Sequence, residues 1–101
     1  MLLEIKNEND VWTGILSGRL DTVAAAQFNE DMKPLLEHAD KQIVLDCEKL
    51  EYISSTGLRL FLVLRKTVEQ KGGSLVIYRI NEELKNIFSI TGFINLFDIR
   101  S

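Results

Sequence analysis

Apolar and polar residues alternate through Leu3-Glu4-Ile5-Lys6, the period-two pattern of a half-buried strand. A polar turn at Asn7-Glu8-Asn9-Asp10 and a second strand from Val11 to Ser17 predict an antiparallel hairpin. Gly14 inside that strand predicts a bulge or a close backbone approach. Gly18-Arg19-Leu20-Asp21-Thr22 ends the strand, with Asp21 or Thr22 placed to cap a helix. From Val23 to His38 the spacing of Ala24, Ala25, Phe28, Met32, Leu35 and Leu36 is helical, with a kink or early fraying expected at Pro34. Ile43-Val44-Leu45 reads as a short strand buried on both sides.

A long amphipathic helix follows over Ser54 to Gln70. Gly57, Leu60, Phe61, Leu64 and Val68 share one face, and Lys71-Gly72-Gly73 stops it. Leu58 and Leu62 fall away from the core centre on this reading, near Arg65 and Glu69. Ser74 to Tyr78 is a further strand, and Asn81-Glu82-Glu83 opens a helix that buries Leu84, Ile87 and Phe88 before Thr91-Gly92. The apolar tail from Phe93 to Ile99 is expected to close the sheet or cover its edge. The order β-β-α-β-α-β-α plus an apolar tail predicts an α/β fold: a mixed sheet with an initial antiparallel hairpin, then parallel strands joined by helices. With 101 residues and no linker or repeat, residues 1–101 read as one domain.

Charge narrows the function classes. Twelve Lys and Arg against fifteen Asp and Glu give a net charge of -3 without a basic cluster, which argues against nucleic-acid binding. The longest apolar run, Leu60 to Leu64, is far below the roughly 20 residues of a membrane span, and no signal peptide is read at Met1. A single cysteine, Cys47, allows no internal disulfide and fits a reducing compartment, so a cytoplasmic location is expected. Cys47 and the lone His38 show no metal-ligand spacing, and no cofactor is expected. No Gly-x-Ser-x-Gly elbow or Gly-x4-Gly-Lys loop is present, and no catalytic residue is assigned.

The candidate chemistry lies at Ser54-Ser55-Thr56-Gly57, between a buried strand and the long helix. Three hydroxyls there face the unpaired N–H groups of the first turn. They can serve as caps, with Gly57 allowing close approach to the sheet, or one can accept a phosphoryl group, stabilised by exposed amides and the helix dipole. Spacing leaves both readings open.

Gly18-Arg19-Leu20-Asp21, Ile43-Val44-Leu45-Asp46 with Leu50 and Ile53, Ser54-Ser55-Thr56-Gly57-Leu58 and Gly72-Gly73-Ser74-Leu75, in that order, resemble the STAS domain, in particular the bacterial anti-sigma-factor antagonists. The resemblance covers nearly the whole chain. It implies a partner-switching cycle: the unmodified chain binds an anti-sigma factor that is also a serine kinase and frees the sigma factor. ATP- and Mg²⁺-dependent phosphorylation then releases the antagonist, and a phosphatase resets it. Carried over by position, the acceptor is Ser55, flanked by Thr56 and Gly57, with Asp21 as the neighbouring acid. Many such antagonists carry Asp before the acceptor, where this chain has Ser54.

Leu58 and Leu62, one and two turns beyond Ser55, are expected on the partner surface or against a neighbouring helix. Phe93, Ile94 and Phe97 raise the same choice, with core closure favoured. Two other readings stand beside the antagonist: a STAS subunit docking on a transporter ATPase or signalling assembly without a phosphate cycle, and a small phosphate- or nucleotide-binding protein using the Ser54–Gly57 loop.

Overall fold

The computed structural model describes residues 1–101. Two strands open the chain, β1 (Leu2–Glu8) and β2 (Val11–Leu20), paired antiparallel around a turn at Asn9 and Asp10, both with positive φ. Then come α1 (Thr22–Asp31), α2 (Lys33–Glu37), β3 (Gln42–Ile53), α3 (Ser55–Lys71), β4 (Ser74–Tyr78) and α4 (Glu82–Ile90). A 3-10 turn (Phe93–Asn95) and β5 (Asp98–Arg100) complete the chain. The strands lie in the order β1-β2-β3-β4-β5, and every pair after the first is parallel. The mixed α/β architecture is the expected one, and the apolar tail closes the sheet by supplying its fifth strand.

Most strand residues that enter the core lie on one face of the sheet; Val76, on the other face of β4, is buried as well. Leu3, Ile5, Leu16, Ile43, Leu45, Cys47, Leu75, Ile77 and Ile99 pack with Phe28, Leu35, Phe61, Leu64, Leu84 and Phe88 from the four helices. All helices therefore cover the same face. Four phenylalanines interlock beneath them, with Phe61 about 6 Å from Phe28, Phe88 and Phe97 at angles typical of tilted and edge-to-face pairs.

Three local expectations need correction, and Gly14 resolves to the second of its two alternatives, a close approach. Pro34 does not kink one long helix. The helix stops at Met32 and a second begins, with Pro34 in its first turn, where the absent N–H costs no helical bond. Gly14 is not bulged. A Cβ there would crowd Leu3, Leu35 and Leu45 at 3.2 Å, so the residue serves close packing. β2 continues through Gly18 to Leu20.

The third correction is the length of β3, which runs eight residues past Leu45. Its pairing with β2 shifts between Ile15 and Ser17 and again between Gly18 and Arg19, and each shift adds one residue on the β3 side. The bulges stretch the inward spacing to Cys47, Leu50 and Ile53, and they carry the end of β3 level with Leu20 at the site described next.

Candidate functional site

β2 and β3 end side by side. Leu20 pairs with Ile53, and the Ser54 N–H donates to the Leu20 carbonyl at 2.8 Å. The next residues, Asp21 and Ser54, each turn out of the sheet into a helix. Asp21 caps α1, its carboxylate accepting from the Ala24 N–H at 2.8 Å, and Ser54 caps α3, its Oγ accepting from the Gly57 N–H at 3.2 Å. Gly57 is required by the approach of α3 to the sheet: a Cβ there would lie 2.8 Å from Leu20 Cγ and 3.0 Å from Ile53 Cγ1.

The three hydroxyls are thereby distinguished. Ser54 is 7% exposed and committed to the cap. Thr56 is half-buried, and Ser55 is exposed at the first position of α3. Ser55 lines a shallow groove of about 260 Å³ at the start of the helix. Arg59 and Leu62 of α3 form one wall of that groove, Thr91 and Phe93 form the other, and Leu58 lies at its floor.

The placement of Leu58 differs from the sequence expectation. It is 3% exposed and belongs to the core, touching the groove only as its floor, whereas Leu62 is half-buried on the wall. The reason is that α3 is flanked by the C-terminal segment as well as backed by the sheet. Arg65, one turn past Leu62, donates to the Leu96 carbonyl, so the Leu58–Leu62–Arg65 ridge faces the tail rather than solvent. Phe93, Ile94 and Phe97 pack against the core, and Phe93 also contributes to the groove. Arg59 and Thr91 join the site without a sequence motif to mark them. Arg59 is exposed one turn beyond Ser55 and takes part in no ion pair.

The remaining candidates lie elsewhere. His38 ends α2, with Nδ1 2.9 Å from the Pro34 carbonyl and its ring stacked on Trp12 at 3.8 Å. Cys47 is buried in the core, and burial, reinforced by the neighbouring Asp46 charge, pushes its thiol up to about 12. Tyr52 lies under the Arg19 guanidinium at 4.5 Å. No helix is long and apolar enough to cross a membrane.

Comparison with known proteins sets this geometry in a family. The STAS domain profile matches residues 4–101. The anti-sigma-B factor antagonist of Bacillus subtilis is 38% identical over 95 residues, spanning 93% of this chain and 84% of that protein. An anti-sigma factor antagonist from Mycobacterium paratuberculosis has the same fold, with a TM-score of 0.86 at 16% identity over 98% of this chain and 84% of that one. The Bacillus cell fate determinant SpoIIAA in its phosphorylated form superposes with a TM-score of 0.74 at 16% identity, over 99% of this chain and 91% of that one. With the profile covering nearly every residue and the strand order in agreement, the chain belongs to the STAS domain family.

Proposed function

We propose that this chain is a cytoplasmic anti-sigma-factor antagonist, acting by binding rather than by catalysis, and that phosphorylation of Ser55 by its anti-sigma-factor kinase switches it off. The observation that carries the reading is the division between adjacent serines: Ser54 is buried and bonded to the Gly57 amide, while Ser55 is exposed at the lip of a groove lined by Leu62 and Phe93. A kinase needs a hydroxyl that is free and reachable, and Ser55 meets both conditions. The relatives that carry the antagonist name support the same role.

The transfer itself needs little from this chain. Ser55 Oγ attacks the γ-phosphorus of ATP held with Mg²⁺ by the kinase. Its proton passes to a base on the kinase, the new Oγ–P bond forms, and the bond to the β-phosphate oxygen breaks to release ADP. The product carries about -1.5 to -2 charges at neutral pH. Within the domain that charge meets the positive end of α3 and the unpaired Arg59, so the fold tolerates it. Against a partner the balance reverses. Desolvating a dianion there costs several kcal/mol unless the partner supplies cations, and each ~1.4 kcal/mol is tenfold in affinity. A phosphatase restores the neutral hydroxyl by hydrolysis.

The test is to recover the partner by affinity capture and incubate the two with ATP and Mg²⁺. The modified hydroxyl is then mapped by mass spectrometry, and partner affinity is measured before and after. Modification at Ser55 with a large loss of affinity is expected. Modification confined to Ser54 or Thr56, or unchanged affinity after modification at Ser55, would sink the reading.

A further inference from the structure

None of the helices packs on the second face of the sheet, although four of its five strands are parallel and such sheets are ordinarily covered on both sides. Cross-strand register arranges this open face in two adjacent rows. One runs Lys6, Thr13, Val44, Val76, Asp98 from β1 to β5, with Val76 buried between its neighbours at 5% exposure. The next runs Glu4, Ile15, Asp46, Tyr78, Arg100. Each row ends in opposite charges, and the two rows have opposite polarity. At the β1 edge, neither Glu4 nor Lys6 has an ionic partner within the chain, while at the β5 edge Asp98 and Arg100 pair with each other at 2.9 Å and would share that pair with the second copy.

A two-fold axis laid along β3 turns each row end for end over itself. Lys6 of one copy then meets Asp98 of the second, and Glu4 meets Arg100. Along the middle, Val44 meets Val44 and Ile15 meets Tyr78. Asp46 falls beside its own copy, but each copy also brings Arg79, whose guanidinium lies 3.1 Å from Asp46 and 2.7 Å from Glu48 and supplies the counter-charge. An axis across the strands would also pair opposite charges at the edges, yet it would press Val44 onto an Asp46 carboxylate. The axis along β3 avoids that, and it keeps the strands of the two sheets aligned, the usual geometry for sheets packed about 10 Å apart.

We propose that the open sheet face binds a second copy of this chain about a two-fold axis along β3. The surface is isologous, with the pairs Lys6–Asp98 and Glu4–Arg100 each made twice. Five strands about 4.8 Å apart give a face roughly 24 Å wide, and with a length of about 20 Å two such faces remove on the order of 1,000 Å² from water, the lower bound for a specific interface. The dimer is accordingly weak and reversible, forming at micromolar concentration or above. Ser55 begins α3 on the opposite side and stays exposed in both copies, so dimerisation does not depend on the antagonist reading.

Sedimentation equilibrium from micromolar to millimolar protein tests the proposal, with circular dichroism to verify that each variant is folded. Lys6→Glu and Asp98→Lys are each expected to weaken the dimer about tenfold. Combining them in one chain is expected to restore it, because the new carboxylate at position 6 of one copy then faces the new ammonium at position 98 of the other. With the axis across the strands the combined variant would stay weak, since the carboxylate introduced at position 6 would face Glu4. Val44→Lys on the axis is expected to abolish association. A wild type that stays monomeric throughout overturns the proposal and leaves the face to a different protein. A dimer indifferent to the single charge reversals, or one that the combined variant does not regain, overturns it as well.

Discussion

Ser54 Oγ accepts the Gly57 N–H at 3.2 Å, and this contact gives the two adjacent serines separate tasks. Ser54 supplies the acceptor function of a cap without a charge. Ser54→Ala is therefore expected to lose about 1 kcal/mol of unfolding free energy, measured by urea titration. Ser54→Asp should match or slightly exceed wild type, since a carboxylate retains the cap and favours the helix N-terminus. Neither change removes the Ser55 hydroxyl, so the proposed modification at Ser55 is expected in both.

Leu58 and Leu62 are four residues apart, but they predict opposite phenotypes. Leu58 is a core residue, and Leu58→Ala should cost about 3 kcal/mol of stability. Leu62→Ala, on the groove wall, should cost about 1 kcal/mol or less and instead weaken partner binding. Thermal denaturation and partner calorimetry on both variants separate the two effects. Partner affinity unaffected by Leu62→Ala would remove the groove from the interface.

Gly73 follows the left-handed cap Gly72 (φ 81) at the end of α3. A Cβ at position 73 would collide with the carbonyl oxygens of Ala39 and Lys41 in the connection that leads into β3, and backbone cannot rotate aside. Gly73→Ala is expected to destabilise the domain by about 3 kcal/mol or more, whereas Gly72→Ala meets no atom and incurs only the cost of its positive φ. Chemical denaturation of the two variants provides the comparison.

Burial of Cys47 adds a fall in stability at alkaline pH. The folded chain holds that proton to about 12, while the ordinary thiol releases it near 9.0. Below pH 9 the contribution is fully present. As pH rises through that window the unfolded chain ionises first, and stability falls by about 1.4 kcal/mol per unit. Wild type should therefore lose stability faster above pH 9 than Cys47→Ala, as followed by urea titration at stepped pH. Parallel curves for the two proteins would show that the thiol ionises equally in both states.

How far the sequence foretold these features depended on whether a local rule was left undisturbed. Leu3 to Lys6 alternates cleanly and Asn81 precedes two acids, so β1 and the start of α4 were legible. β3 was read only to Leu45 because its two bulges replace a period of two with the three-residue steps of Cys47, Leu50 and Ile53. Leu58 was misplaced because a helical wheel shows the stripe facing the sheet but not a second neighbour, here the segment carrying Phe93 and Leu96. At the site itself, the run of hydroxyls was visible. Which one lies open was not, since that depends on Ser54 meeting the end of β2 through the Leu20 carbonyl, a contact between residues 34 apart in number.

The strand order β1-β2-β3-β4-β5 repeats the order of translation. Each strand leaving the ribosome finds its neighbour already in place and joins the growing edge, so no strand has to wait for a later one to be inserted beside it. Growth of this kind keeps loop closures short and favours rapid folding during synthesis. The exposed edge of β4 is the last to be blunted, and it stays open to wrong pairing until Asp98–Arg100 has emerged.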